Sequence, residues 1–393
     1  MSKLTKLLRT PTLFFRDSWI FDGAKRKGRA RVERPPPNDG RVPTYVIGFS
    51  PWKRFLRAWF PERNLIFLPR DISAEAFRAR WSRAIMSAPG AEIFIWGMKV
   101  DPEILHFARE HGIACVHVED GFIRSVALGA TRTPPFSLCL DTQRPHFDAR
   151  GPSDLEDLLA TYDFAGDRAL MERAERLMRV ILETGISKYN HSTPVDVEAV
   201  YGPKDRKRVL VIGQVESDAS IRYGSEKKYT NNDVVLLAAM ANPEAQIIYK
   251  PHPDVLYGHR DRVSDPEVVR HLSLILEDMP LAQALETVDH AYTITSQGGF
   301  EALMRGIPVT TLGCPFYSGW GLTEDWQPNA RRTRKLTVLE VFAAAYLLYP
   351  KYFDPTEGIH LTAEQAVERV LRLRESAECA VGHERRGERA TRR

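Results

Sequence analysis

The chain has 393 residues, 43% hydrophobic, 10% aromatic and 27% charged, with 55 Lys and Arg against 51 Asp and Glu. That length favours two domains over one core, the composition is that of a soluble globular protein, and no run approaches the roughly 18 to 20 apolar residues that cross a bilayer. A formal charge of +4 is too small to argue for a nucleic-acid partner.

Residues 3–20, KLTKLLRTPTLFFRDSWI, interleave Leu, Phe and Trp with Lys and Arg, and Pro11 interrupts any single helix. Such a basic amphipathic segment either lies in an anionic membrane surface or packs on its own domain as an arm; the following KRKGRARVER strengthens the first reading. Lys3, Lys6, Arg9 and Arg16 break any secretory apolar region, so the expected location is cytoplasmic and peripheral to a membrane. RPPPNDGRVP reads as a linker, which makes residues 1–44 an arm and starts the folded part near Tyr45.

Beyond Tyr45 the apolar runs TYVIGFS, LIFLP, AEIFIWG, GIACVHVED and FSLCLD alternate with helical patterns such as Ala74 to Met86, the rhythm of a parallel sheet covered by helices. Residues 153–185 are helical by periodicity and separate this half from a second series: KRVLVIGQVESD, VVLLAAMAN, AQIIYKPHPD, HAYTIT, the helix GGFEALMRG and the strand PVTTLG. The expectation is therefore an α/β protein of two doubly wound halves, over 45–190 and 191–375, with a basic disordered tail at 376–393. The widely spaced Cys115, Cys139, Cys314 and Cys379 suggest packing rather than a disulfide framework or a metal ribbon.

Ligands of such sheets sit beyond the carboxyl ends of the strands, so the loops after Gly213, Tyr249 and Thr295 converge on one site, with Asp120 facing it from the first half. Ser296 is placed to cap a helix whose free N–H groups suit a phosphate, and Gly298 and Gly299 allow backbone to approach a ligand; the plain alternative is an ordinary capped helix. Glu301, taken as first-turn, either reaches back to the capping backbone or bonds a ribose hydroxyl. In YKPHPDV the prolines restrict His252, whose imidazole can donate to a phosphate, and Lys250 adds charge or a base contact. No Walker loop occurs. These features describe a nucleotide site.

EDGFIRSVALG at 119–129, GQVESDASIRYGS at 213–225, YKPHPDV, and SQGGFEALMRGIPVTTLGCPFYSGWGLTED at 296–325 together resemble the bacterial capsule polysaccharide transferases of the KpsC and KpsS type, which use CMP-Kdo. The resemblance implies a GT-B architecture, two Rossmann-like domains facing a cleft, with nucleotide on the C-terminal one, acceptor toward the N-terminal one, and retention of the β configuration of Kdo. It implies that His252 and Ser296 hold the CMP phosphate, with Lys250 and Glu301 near the nucleoside and Gln214, Gln297 and Gly298 completing the donor site. It also implies a lipid-linked or Kdo-primed acceptor, work at the inner-membrane face beside a partner transferase or the capsule export machinery, and no cofactor, the reaction being metal-independent.

Retention by double displacement needs a carboxylate nucleophile and a group that moves the acceptor proton. Asp218 is the expected nucleophile and Glu119 or Asp120 the acid/base partner or acceptor ligand; the alternatives are a capping aspartate in ESDAS and a strand-end turn into Gly121. Arg222 and Arg124 either meet the Kdo carboxylate or form ordinary ion pairs. PFYSGWGLTED either shapes a loop over the substrate or crosses between domains. The motif set occurs once, whereas dual-module relatives carry it twice, which favours a single linkage. Competing readings are another nucleotide sugar, an epimerase, and a non-catalytic assembly or export component.

Overall fold

The computed structural model describes residues 40–126, 132–188, 190 and 195–390, with side chains as far as 376. The N-terminal arm lies outside the described residues. No helix among the described residues is long and apolar enough to cross a membrane.

Two sheets organise the chain. The first contains β1 (Val42–Ile47), β2 (Arg63–Phe67), β3 (Glu92–Trp96), β4 (Ala114–Asp120) and β5 (Ser137–Asp141); the second contains β6 (Arg208–Ile212), β7 (Gln246–Lys250), β8 (Leu274–Ile275), β9 (His290–Thr293), β10 (Val309–Thr311) and β11 (Glu324–Asp325). Then β12 (Pro350–Phe353) and β13 (His360–Leu361) return to the edge of the first sheet, giving the order β13-β12-β5-β4-β3-β1-β2. The fold is α/β, as expected, but the first sheet is mixed. β5 runs antiparallel to β4, and β12 antiparallel to β5.

That departure has a physical cause. A parallel neighbour needs a covering crossover, usually a helix, and none is described between Asp120 and Ser137. The C-terminal return also corrects the expected boundary, because residues 350–361, assigned to the second half, bond in the first sheet. Tyr349 Oη donates to Asp141 Oδ2 at 2.9 Å beside this junction. Within the tail expected to be disordered from 376, residues as far as Ala390 continue the helix Ala363–Ala390. Its Glu, Arg and Ala are good helix formers, and propagation from an already packed first part is favourable.

The second sheet is wholly parallel, in the order β11-β10-β9-β6-β7-β8. All five residues of β6, RVLVI, are buried, as a strand covered on both faces requires. Counted from β6, this is the 3-2-1-4-5-6 order of dinucleotide-binding sheets, with its switch point between β6 and β9. In the first sheet β2-β1-β3-β4 reverses between β1 and β3. The two carboxyl edges face one cleft.

In PFYSGWGLTED the residues Pro315 to Ser318 and Trp320 are buried. Tyr317 and Trp320 are fully buried, and Trp320 Nε1 donates to the Phe316 carbonyl at 2.9 Å. A buried ionic cluster ties it to the first half: Arg332 Nε donates to Glu156 Oε2 at 2.9 Å, and Arg331 Nε to Oε1 at 2.5 Å. Arg332 also donates to the Pro315 and Ser318 carbonyls. Removing one partner of a buried pair leaves an uncompensated charge. Glu156→Gln is therefore expected to cost about 3 kcal/mol, read as a lower urea midpoint with an unchanged slope.

Candidate active site

A cavity of about 1040 Å³ separates the two sheet edges, and every sequence-predicted site residue lines it: Glu119, Asp120 and Arg124 from the first half, and Gln214, Asp218, Arg222, Lys250, His252, Ser296, Gln297, Gly298 and Glu301 from the second. Register explains part of the convergence. Ile212 at the end of β6 pairs with Lys250 at the end of β7, so both following loops open at one level.

His252 caps the short helix Pro253–Leu256, with Pro253 at its first position. Its Nδ1 accepts the Asp254 amide N–H at 3.1 Å. Burial lowers the imidazole to about 4 against the opposing pull of Asp254 and Asp218, so the ring is neutral at physiological pH. A neutral ring that accepts at Nδ1 carries its proton on Nε2, and His252 lines the cleft. The helix signal was legible, since Pro at a first helical position followed by an acid is start chemistry.

Ser296 caps the helix Gln297–Met304, its Oγ accepting the Gly298 N–H at 3.1 Å. Gly299 serves packing rather than a ligand: a Cβ there would lie 2.1 Å from Tyr317 Oη, which donates to the Ser296 carbonyl at 2.6 Å. Gln297 bridges the halves through Nε2 to the Phe122 carbonyl at 2.9 Å. Gln214 braces β6 to β9, accepting the Thr295 N–H at 2.7 Å and donating to Thr295 Oγ1 at 3.1 Å. Both amides are therefore occupied within the protein.

Glu301 is the fifth residue of its helix, not a first-turn residue, and it does not reach the cap. Its Oε1 accepts from Ser187 Oγ at 3.2 Å and from the Lys188 amide at 3.4 Å, while Oε2 is buried without a hydrogen-bond partner among the described residues. Burial raises its pKa. Lys250 Nζ donates to the Met279 carbonyl at 2.5 Å, and burial brings it down to about 8. Asp218 caps the helix Ala219–Gly224, its Oδ1 accepting the Ser220 N–H at 2.9 Å. Arg222 is exposed and lies over the Tyr223 ring at 5.3 Å.

Across the cleft, two adjacent carboxyls are driven apart. Burial opposes ionisation of Asp120, but Arg124 and Lys53 outweigh it and hold the group at about 2. Arg124 Nε donates to Asp120 Oδ2 at 2.7 Å. Glu119 is pushed up to about 7 by burial and by the Asp120 charge, against the pull of Lys53. Its environment is set partly by Gly97, which has φ +53°; a Cβ there would stand 2.7 Å from Glu119 Oε2. Gly97→Ala is expected to cost about 1–2 kcal/mol through the left-handed backbone and to displace the Glu119 carboxyl. Thermal denaturation reads the first effect and the pH dependence of activity the second.

Sequence reasoning missed Lys53. It is 6% exposed, lines the cleft and sits 2.7 Å from the Trp96 ring centroid. The available signal was its place in PWKRF, directly after the apolar β1. His146 was missed too. It lines the same cleft among Phe122, Phe316 and Tyr349, with a buried Nδ1 that has no partner among the described residues.

A two-sheet α/β protein whose strand ends enclose these groups belongs to the capsule polysaccharide biosynthesis protein family, whose sequence pattern matches residues 92–352. It is 44% identical over 328 residues to the lipopolysaccharide-processing protein LpsZ of Rhizobium meliloti, covering 82% of this chain and 72% of LpsZ. It is 38% identical over 332 residues to the capsule polysaccharide modification protein LipA of Neisseria meningitidis serogroup A, covering 84% of this chain and 45% of LipA. The chain thus spans less than half of LipA. Among solved structures it is similar to the β-Kdo 2,4-transferase of Thermosulfurimonas dismutans KpsC, with a TM-score of 0.70 and 34% identity over 83% of this chain and 97% of that one.

Proposed function

We propose that the protein is a capsule glycosyltransferase of GT-B architecture that moves Kdo from CMP-Kdo, with retention, to a lipid-linked or Kdo-primed acceptor. The observation that carries this reading is the adjacent carboxyl pair Glu119 and Asp120 at the end of β4, lining one cleft with a phosphate cradle. The cradle consists of the His252 Nε2–H and the Ser296-capped helix N-terminus, at the switch point where open α/β sheets take nucleotides. Similarity to the KpsC transferase supports the sugar and the chemistry.

We take Asp120 as the nucleophile in this scheme, with Asp218, the carboxylate expected from the sequence, as the alternative that covalent trapping distinguishes. Arg124 and Lys53 hold Asp120 ionised, and its Oδ1 has no hydrogen-bond partner among the described residues while Oδ2 accepts from Arg124; Asp218 likewise has one oxygen engaged, in capping its helix. In the proposed first step an Asp120 oxygen bonds to the anomeric carbon as the bond to the phosphate oxygen breaks, and CMP leaves with that electron pair. His252 and the helix N–H groups stabilise the departing phosphate. In the second step Glu119 takes the acceptor hydroxyl proton as that oxygen displaces Asp120, and two inversions give retention.

The deciding experiment incubates the protein with CMP-Kdo and a Kdo-primed lipid mimic. CMP release with a β-linked product is expected, unchanged by EDTA. Turnover only with another nucleotide sugar, or CMP binding without turnover, would reject the donor or the catalytic reading respectively. Membrane association is a further part of the proposal. Removing residues 1–28 should release the protein from anionic vesicles without ending turnover on a soluble acceptor.

A further inference from the structure

The first sheet has a switch point of its own, between β1 and β3, which the proposed reaction uses only through the charge of Lys53 acting on Asp120 and Glu119. The loops that leave those strands pack tightly: Gly48 has φ +81°, and a Cβ on it would lie 2.5 Å from the Lys99 carbonyl. The segment after Gly48 is the turn Pro51–Phe55, which carries Trp52 and Lys53 into the cleft wall beside Trp96, Met98 and Lys99.

Lys53 is an anomaly there. An ammonium taken out of water is costly unless it is paired and hydrogen-bonded, and Lys53 is only 6% exposed. Yet no acceptor atom among the described residues lies within hydrogen-bond or ion-pair distance of it; its described contacts are the Trp96 ring at 2.7 Å and the Trp52 ring at 5.1 Å. Of the nearby acid oxygens, Asp120 Oδ1 is buried without a hydrogen-bond partner among the described residues, Lys53 included, and two others bond elsewhere. Asp120 Oδ2 receives Arg124, and Glu119 Oε1 receives the Asp120 amide at 3.1 Å. A lysine kept only to balance those carboxyls would bond to one of them. Two indole faces instead hold its stem and charge in place while the head remains without an oxygen partner.

We infer that Lys53, at the switch point of the first sheet, is the anchor of an anion subsite that receives an anionic oxygen group of the acceptor. The chemistry is that of a carboxylate or phosphate laid against an ammonium in an aromatic setting. Its sources are the carboxylate of an acidic acceptor sugar or the phosphate of a lipid headgroup. The inference deepens the proposed function and rests on it for the identity of the acceptor; the subsite itself is separable. The charged groups facing Lys53 are Asp120, Glu119 and Arg124 from the end of β4 and Lys99 from the loop after β3. Burial against these neighbours leaves the ammonium at about 8, so anion affinity should fall as pH rises through that value.

The test is calorimetric and needs no turnover. The full chain, its Lys53→Met variant and its Lys53→Arg variant are titrated with the methyl glycoside of Kdo, with the methyl ester of that glycoside, and with glycerol 3-phosphate. The wild type is expected to bind at least one anion about 10-fold to 100-fold more tightly than the ester. Lys53→Met should remove that difference, and Lys53→Arg should preserve it to higher pH. Preference for the glycoside assigns the anion to a sugar acid, and preference for glycerol 3-phosphate to a lipid phosphate. CMP titration reports on the opposite wall and on folding, and should be the same for all three proteins. Equal binding of anion and ester by the wild type, no binding of either anion, or a Lys53→Met variant that binds anions like the wild type would each overturn the subsite. Failure of the wild type to bind CMP while Lys53-dependent discrimination persists would instead overturn the transferase reading and leave the subsite standing.

Discussion

Asp120→Asn is expected to lower sugar transfer by about 10⁴-fold or more, the scale seen when a covalent nucleophile is removed, while CMP still binds. The amide keeps an oxygen for the Arg124 guanidinium, which is 1% exposed, but removes the charge that balances it. Some loss of stability is therefore expected as well, and a fall in activity alone would be ambiguous. Covalent trapping resolves it. Wild-type protein given CMP-Kdo without acceptor should gain one Kdo residue by intact mass spectrometry, on the peptide that contains Asp120. Attachment at Asp218 would reinstate the carboxylate that the sequence pattern favours and leave Asp120 as an ion-pair partner. For Asp218→Asn the expectation is milder: the amide oxygen still caps the helix, so stability changes little, while CMP affinity is altered through loss of the charge beside His252.

The parts of the site legible in the sequence are those whose placement is local. YKPHPDV announces itself because an apolar strand runs straight into proline-fixed polar residues, and His252 and Ser296 are each set by neighbours within a few positions. The strands β1, β3, β4, β6, β7 and β9 follow from apolar runs of ordinary length. Other features depend on partners far along the chain. PKYF at 350–353 gives no hint that it will pair with Ser137 to Cys139, and the two-residue β8, β11 and β13 are too short to show any period. Gln214 and Gln297 sit among apparent ligand residues, yet their partners are Thr295 and Phe122, which only the folded sheets bring near. Lys53 is the clearest case. Its position acquires meaning once the strand order shows where the first sheet reverses, and that order is a long-range pairing property. The elevated Glu119 is similar, because it reflects enclosure by residues of other elements, Gly97 and Lys53 among them.

Glu119→Gln should give the second large effect, a loss of about 10²-fold to 10⁴-fold in transfer, the usual range for a general base. The sign of the pH dependence identifies the step. Glu119 acts by accepting the acceptor proton, so it must be ionised, and its pKa is raised to about 7 by burial and the Asp120 charge. Wild-type kcat should therefore rise with pH through about 7 and level off above it; a group acting as an acid would give the opposite slope. In Glu119→Gln that limb should vanish. Departure of CMP requires no proton from Glu119 in this scheme, so the first CMP-releasing turnover, measured without acceptor in a rapid-quench experiment, should survive the substitution much better than steady-state transfer. Equal loss in both phases would place Glu119 in donor binding or in formation of the covalent bond rather than in its release. Gly97→Ala, which crowds the Glu119 carboxyl without changing its chemistry, should keep the acidic limb but shift its position. That shift would separate a titrating base from a residue that merely supports the strand end.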